Sequence, residues 1–148
     1  MSRSNWVIFW ALLGTFIVVV GWFFFAATNE FARGSRFEIF LATSGAIFVS
    51  LGIALILLTV KGKAVGALRK FLILTGAGAI GIPVSIVLHN VIYGLFIYFF
   101  GEGFWGRIGV GDEPVFFIMG IFICPTAFLV GTVGSIVIAI RKQRCKVD

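Results

Sequence analysis

The chain has 148 residues, 60% of them hydrophobic and 12% charged, with 18 Phe, 4 Trp and a net charge of +6. A single small domain cannot hide that much apolar side chain from water, so a soluble globular fold is excluded and a lipid bilayer is the expected solvent. The positive charges sit in short clusters between long apolar runs and form no continuous stripe, which excludes nucleic acid as a partner.

The whole chain, 1–148, reads as one domain. The expected fold is all-α, an integral membrane bundle of four transmembrane helices. The first span covers 6–27. Its apolar run of about 22 residues is too long for a cleavable leader, whose core has about 7–15. The second span covers 37–60, the third 71–100 and the fourth 115–140. Each is long enough to cross the hydrocarbon core, and only helices satisfy their own backbone there. The third is longer than a bilayer needs, so it must tilt, kink at Pro83 or emerge. The segment after it, "GEGFWGRIGVGDEP", is either a small lid at the interface or a plain solvated loop.

Nine of the Lys and Arg residues fall in the N-terminal segment, in "KGKAVGALRK" and in the tail "RKQRCKVD". Only Arg33, Arg36 and Arg107 fall on the other side. Positive residues are retained in the cytoplasm, so both termini are expected there, in a bacterial or archaeal cytoplasmic membrane. Glu30, Glu102, Asp112 and Glu113 lie in the opposite loops, and Glu38 opens the second span. Trp6, Trp10, Trp22 and Trp105 fall where interfacial aromatics belong. Cys124 and Cys145 lie in unlike settings with no C-x-x-C, so they make no disulfide framework. Cys145 is expected to be a free cytoplasmic thiol, with palmitoylation as the alternative.

Gly76, Gly78 and Gly81 have the G-x-G-x-x-G spacing of a dinucleotide-binding turn. That motif needs a strand before it, a helix after it and an acid about 20 residues on. Here it lies inside an apolar span, so no soluble nucleotide is expected. Small residues instead let lipid-embedded helices approach closely. Ala77 and Gly81 share a face in the third span, as do Ala127, Gly131, Ser135 and Ala139 in the fourth. Ala46, Ser50 and Ala54 repeat the device in the second. These residues are expected to pack helices, within the chain or against a partner chain.

The polar centre is "IPVSIVLHNVIYGLF". Ser85, His89 and Tyr93 recur at i, i+4, i+8 on one helix face, with Asn90 beside it. Polar groups at such depth turn inward and find partners. The structural reading has His89 and Asn90 bonding to Thr126 or Thr132 of the fourth span. The functional alternatives are axial ligation of a haem or chlorin metal by His89, a quinone or lipid site using this face, or an oligomeric solute path. Asp112 and Glu113 before Pro114 read as a helix start, with a cation site as the alternative.

No catalytic set and no cluster with metal-ligand spacing is present, so no enzyme activity, no catalytic residue, no metal and no cofactor is expected. The leading functional expectation is an accessory, assembly or interaction subunit working through helix packing. Its partners are the lipid bilayer and other membrane subunits or copies of itself. The alternatives are a lipophilic-ligand module and a channel or transporter.

Overall fold

The computed structural model describes residues 3–29, 35–62 and 64–144. Glu30, Arg33, Lys63, Cys145 and Lys146 lie outside the described residues, as does the side chain of Arg36. Every element described is helical. In order they are α1 (Arg3–Thr28), α2 (Ser35–Lys61), α3 (Gly66–Phe100), α4 (Phe104–Arg107), α5 (Pro114–Ile118), a π-helical turn (Met119–Ile123) and α6 (Cys124–Arg144). Four segments are long and apolar enough to cross a membrane: Arg3–Thr28, Phe37–Lys61, Gly66–Phe100 and Pro114–Lys142.

The helix ends follow the local chemistry. α1 stops where Thr28 and Asn29 turn back, the Asn29 amide donating to the Phe25 carbonyl at 3.0 Å. Glu38 lies in the first turn of α2 and Lys61 in its last, each matching the sign that the helix dipole favours. α3 begins five residues before the expected span, so the second half of "KGKAVGALRK" is helix rather than loop. The reason is amphipathic: Leu68 is buried in the core while Arg69 and Lys70 stay exposed. α3 ends at Gly101, whose φ of 86° lets its N–H close onto the Ile97 carbonyl at 2.8 Å. At the other end of the chain, α6 runs on through Arg141, Lys142 and Arg144.

α3 is the centre of the bundle, with α2 along one side and α6 along another, while α1 rides mainly on α2. Glycines set these distances. A Cβ on Gly52 would lie 2.9 Å from the Gly76 carbonyl oxygen, and one on Gly76 would lie 2.9 Å from that of Gly52. Toward α6, a Cβ on Gly78 would lie 2.6 Å from the Phe128 nitrogen and 2.9 Å from the Cys124 carbonyl. A Cβ on Gly131 would meet the Thr75 nitrogen at 2.6 Å. The G-x-G-x-x-G glycines are thus divided between two neighbours. Gly76 admits α2, whereas Gly78 and Gly81 admit α6.

Around this seam lies a core of Phe9, Leu12, Phe48, Leu55, Leu72 and Phe128. Phe16, Phe48 and Phe128 form an aromatic layer, with ring centroids 4.8 Å apart for Phe16 and Phe128 and 5.5 Å for Phe48 and Phe128. The exposed Arg69, Lys70, Arg141 and Lys142 gather at one end of the bundle, and Asp112, Glu113 and Trp105 mark the other.

Candidate functional site

The polar site forms where α3 meets the start of α5. Pro114 occupies the first position of α5, where a missing N–H costs nothing. Glu113 precedes it in extended backbone and caps the helix. Its Oε1 accepts from the Val115 N–H at 2.8 Å and its Oε2 from the Phe116 N–H at 2.9 Å. The cap is buried, with Glu113 only 3% exposed. Beside it, Asp112 Oδ1 accepts from the Glu113 N–H at 2.7 Å, and its side chain is 54% exposed.

His89 reaches across from α3 into this turn. Its Nδ1 lies 3.0 Å from the Glu113 carbonyl and 3.3 Å from Glu113 Oε2. Its Nε2 lies 3.4 Å from Asp112 Oδ2. The expected partners, Thr126 and Thr132, are therefore replaced by two acids and a backbone carbonyl. Geometry explains the correction: α6 faces α3 at Thr75 through Gly131, about 14 residues or 21 Å of helix below His89. Thr126 is exposed, and the Thr132 hydroxyl is buried without a hydrogen-bond partner.

The segment after α3 folds back as a cover. Trp105 is 7% exposed, stacks on Tyr93 at 5.9 Å and donates its indole N–H to the Tyr93 carbonyl at 3.4 Å. Arg107 donates to the Phe100 carbonyl at 2.6 Å. Tyr93 in turn lies along His89, at 6.5 Å between ring centroids, with Phe117 at 5.7 Å on the imidazole. The segment is a hydrogen-bonded turn with one short helix, packed on α3 through Trp105.

The other singled-out residues do not converge on this site. Ser85 is buried, with its Oγ 3.9 Å from Cys124 Sγ. Asn90 is exposed and donates to the Ile86 carbonyl of its own helix at 2.8 Å. In α6, Gly131 and Ser135 are buried and Ala127 and Ala139 half-buried. Gly81 has Cys124 Sγ against it, but Ala77 is exposed, and the contact to α6 is made by its neighbour Gly78. Ala46 and Ser50 of α2 are exposed as well, with Ala54 half-buried.

No family model, curated protein or solved structure matches the chain. Both Glu113 oxygens are held by amides, so this carboxylate braces a helix and is not free to act as a base. A porphyrin metal approaching His89 Nε2 would have to displace Asp112. Among the described residues, no group of three or more His, Cys, Asp or Glu is placed to hold a metal ion.

Two features escaped the sequence reading. One is the π-helical turn at Met119–Ile123, in which the Cys124 N–H reaches back five residues to Met119. Its signal is Pro125, which supplies no N–H to the carbonyl four residues earlier. The other is an open apolar groove of about 450 Å³ beside that turn, lined by Leu74, Phe122, Ile123, Thr126, Ala127 and Val130.

Removing the brace is expected to be costly. Glu113→Ala leaves two helix-start amides without their acceptor and should destabilise the fold by about 1–3 kcal/mol. Glu102→Ala, at an exposed loop position, should leave stability unchanged. Denaturant titration of both variants in detergent checks this, and equal stability of the two would contradict the capping role.

Proposed function

We propose that the chain is an integral membrane protein of a bacterial or archaeal cytoplasmic membrane, with both termini in the cytoplasm. We read it as a non-catalytic interaction subunit that joins other membrane helices or copies of itself. One observation carries this reading: small residues line two helix faces that no other described residue covers. On α2, Ala42, Ala46 and Ser50 recur every fourth residue and are all exposed. On α1, Ala11, Gly14 and Gly21 share an exposed face, and no atom of a neighbouring helix lies within 4 Å of a Cβ built on Gly14 or Gly21.

The glycines among them weaken an isolated helix, and all of these small side chains offer little surface to lipid tails. They favour close approach of another backbone. α1 is also the least enclosed helix. In its most apolar stretch 11% of residues are buried, against 33% in α3. The polar His89 site is consistent with the same reading, because its contacts are made within the chain.

Native mass spectrometry in gentle detergent tests the proposal. A defined homo-oligomer or a stoichiometric complex with another membrane subunit is the expected result. A bare 16.1 kDa monomer, with no companion under several mild extraction conditions, would overturn it.

The groove beside the π-helical turn favours a second reading, a site for a lipophilic molecule such as a quinone or a lipid. Its walls are apolar and Thr126 is the one hydroxyl on them. The solute-path reading is weighed down by the Phe16, Phe48 and Phe128 layer. That layer separates Ser85 and His89 from the buried hydroxyls of Thr75, Thr132 and Ser135.

A further inference from the structure

The two ring nitrogens of His89 face acceptors alone. The Glu113 carbonyl, 3.0 Å from Nδ1, can only accept, so Nδ1 carries a proton. In the neutral imidazole Nε2 is then a lone pair. Its neighbour at 3.4 Å is Asp112 Oδ2, which as a carboxylate oxygen also only accepts. The neutral ring therefore sets two acceptors against each other. A second proton, on Nε2, turns the same contact into a charge-assisted hydrogen bond.

We propose that proton binding at His89 Nε2 closes a clasp that holds the turn 110–113, and with it the Trp105 cover, against α3. Loss of that proton opens the clasp. Asp112 is suited to the moving part, because its side chain is half-exposed and can swing into solvent once the attraction is gone. Glu113 is the fixed part, held by two amides of α5. The ring is 17% exposed and Asp112 beside it 54%, which leaves the proton a way on and off.

The groups facing His89 are few. From α3 there is Tyr93, whose ring stacks on it; from the loop, Asp112 and Glu113; from α5, the apolar Phe117. The nearest cation on the cover, Arg107, is committed to the Phe100 carbonyl. The movement has a route to the cover, since the Val110 N–H donates to the Trp105 carbonyl at 3.0 Å and Trp105 stacks on Tyr93. The sign follows from the contact: the clasp is closed while Nε2 holds a proton and opens when that proton leaves.

Amide hydrogen exchange by mass spectrometry, on the full chain in detergent, tests this. Labelling times are scaled to the intrinsic exchange rate at about pH 5.5 and about pH 8, which bracket the histidine range. Relative to the α3 core, residues 104–113 should be about fivefold less protected at the higher pH, the Boltzmann factor of one net hydrogen bond. Asp112→Asn should abolish that difference, because its amide NH₂ donates to the lone pair of the neutral ring and holds the turn at both pH values. Asp112 is half-exposed, so this variant keeps the fold, and protection of the α3 core in the same spectra verifies it. Equal wild-type protection at the two pH values would overturn the clasp. So would an Asp112→Asn variant that keeps the wild-type pH difference.

Discussion

Gly78→Leu is expected to abolish the folded bundle, and Gly131→Leu to come close to doing so. Both positions sit on the seam between α3 and α6. A Cβ at Gly78 would lie 2.6 Å from the Phe128 nitrogen and 2.9 Å from its Cα. A Cβ at Gly131 would meet the Thr75 nitrogen at 2.6 Å and the Phe71 carbonyl at 2.9 Å. These are backbone atoms of a neighbouring helix, so no side-chain rotation relieves the clash. The helices must separate, and the contacts along the whole seam weaken together. The cost should exceed about 3 kcal/mol, beyond the usual penalty for overpacking. Val130→Leu is the matched control, one residue from Gly131 and half-exposed. Thermal unfolding of the three variants in detergent should show the glycine variants unfolded or strongly shifted and the valine variant near wild type. Equal behaviour of Gly131→Leu and Val130→Leu would remove the seam from the account.

Phe128→Ala is expected to cost about 3–5 kcal/mol by leaving a cavity where three helices meet. Phe128 is fully buried, and its ring contacts Phe16 of α1 and Phe48 of α2. It therefore ties the loosely held α1 to the rest of the bundle. The exposed Phe122 of the same segment serves as control. If Phe128→Ala and Phe122→Ala unfold at the same denaturant concentration, the aromatic layer is not the junction described here.

The apolar runs were legible because length and hydropathy are local properties of the chain. The four long helices lie where those runs are. The ends were less legible. Gly66 to Lys70 reads as a charged loop until Leu68 is seen to enter the core, which is a tertiary fact. Glycine spacing announced close packing, but it could not say which neighbour each glycine meets. Gly76 and Gly78 are two residues apart and serve different helices. Ala77 between them faces outward, as helix geometry requires once its two neighbours are placed. The His89 partners were the largest miss. A helix-face argument looked for polar residues on the fourth span. The partners came instead from the turn before α5, where Pro114 fixes the helix start and Glu113 lies beside His89 of α3. The signal was present in "GDEP", which reads as a cap. That the cap would also receive a histidine depends on how far α3 extends beside it.

The same geometry separates glycines and alanines that are used up inside the chain from those that are not. Gly52, Gly76, Gly78 and Gly131 are spent on internal contacts. Ala46, Ser50, Gly14 and Gly21 are not, and the interaction reading rests on them. The most direct measurement is native mass spectrometry of Ala46→Leu and Gly14→Leu beside the wild type, with thermal unfolding of each. The account predicts an assembled wild type and variants that keep the wild-type unfolding temperature but fall apart to monomers. Variants that stay assembled as the wild type does, or a wild type that is itself monomeric, would contradict it.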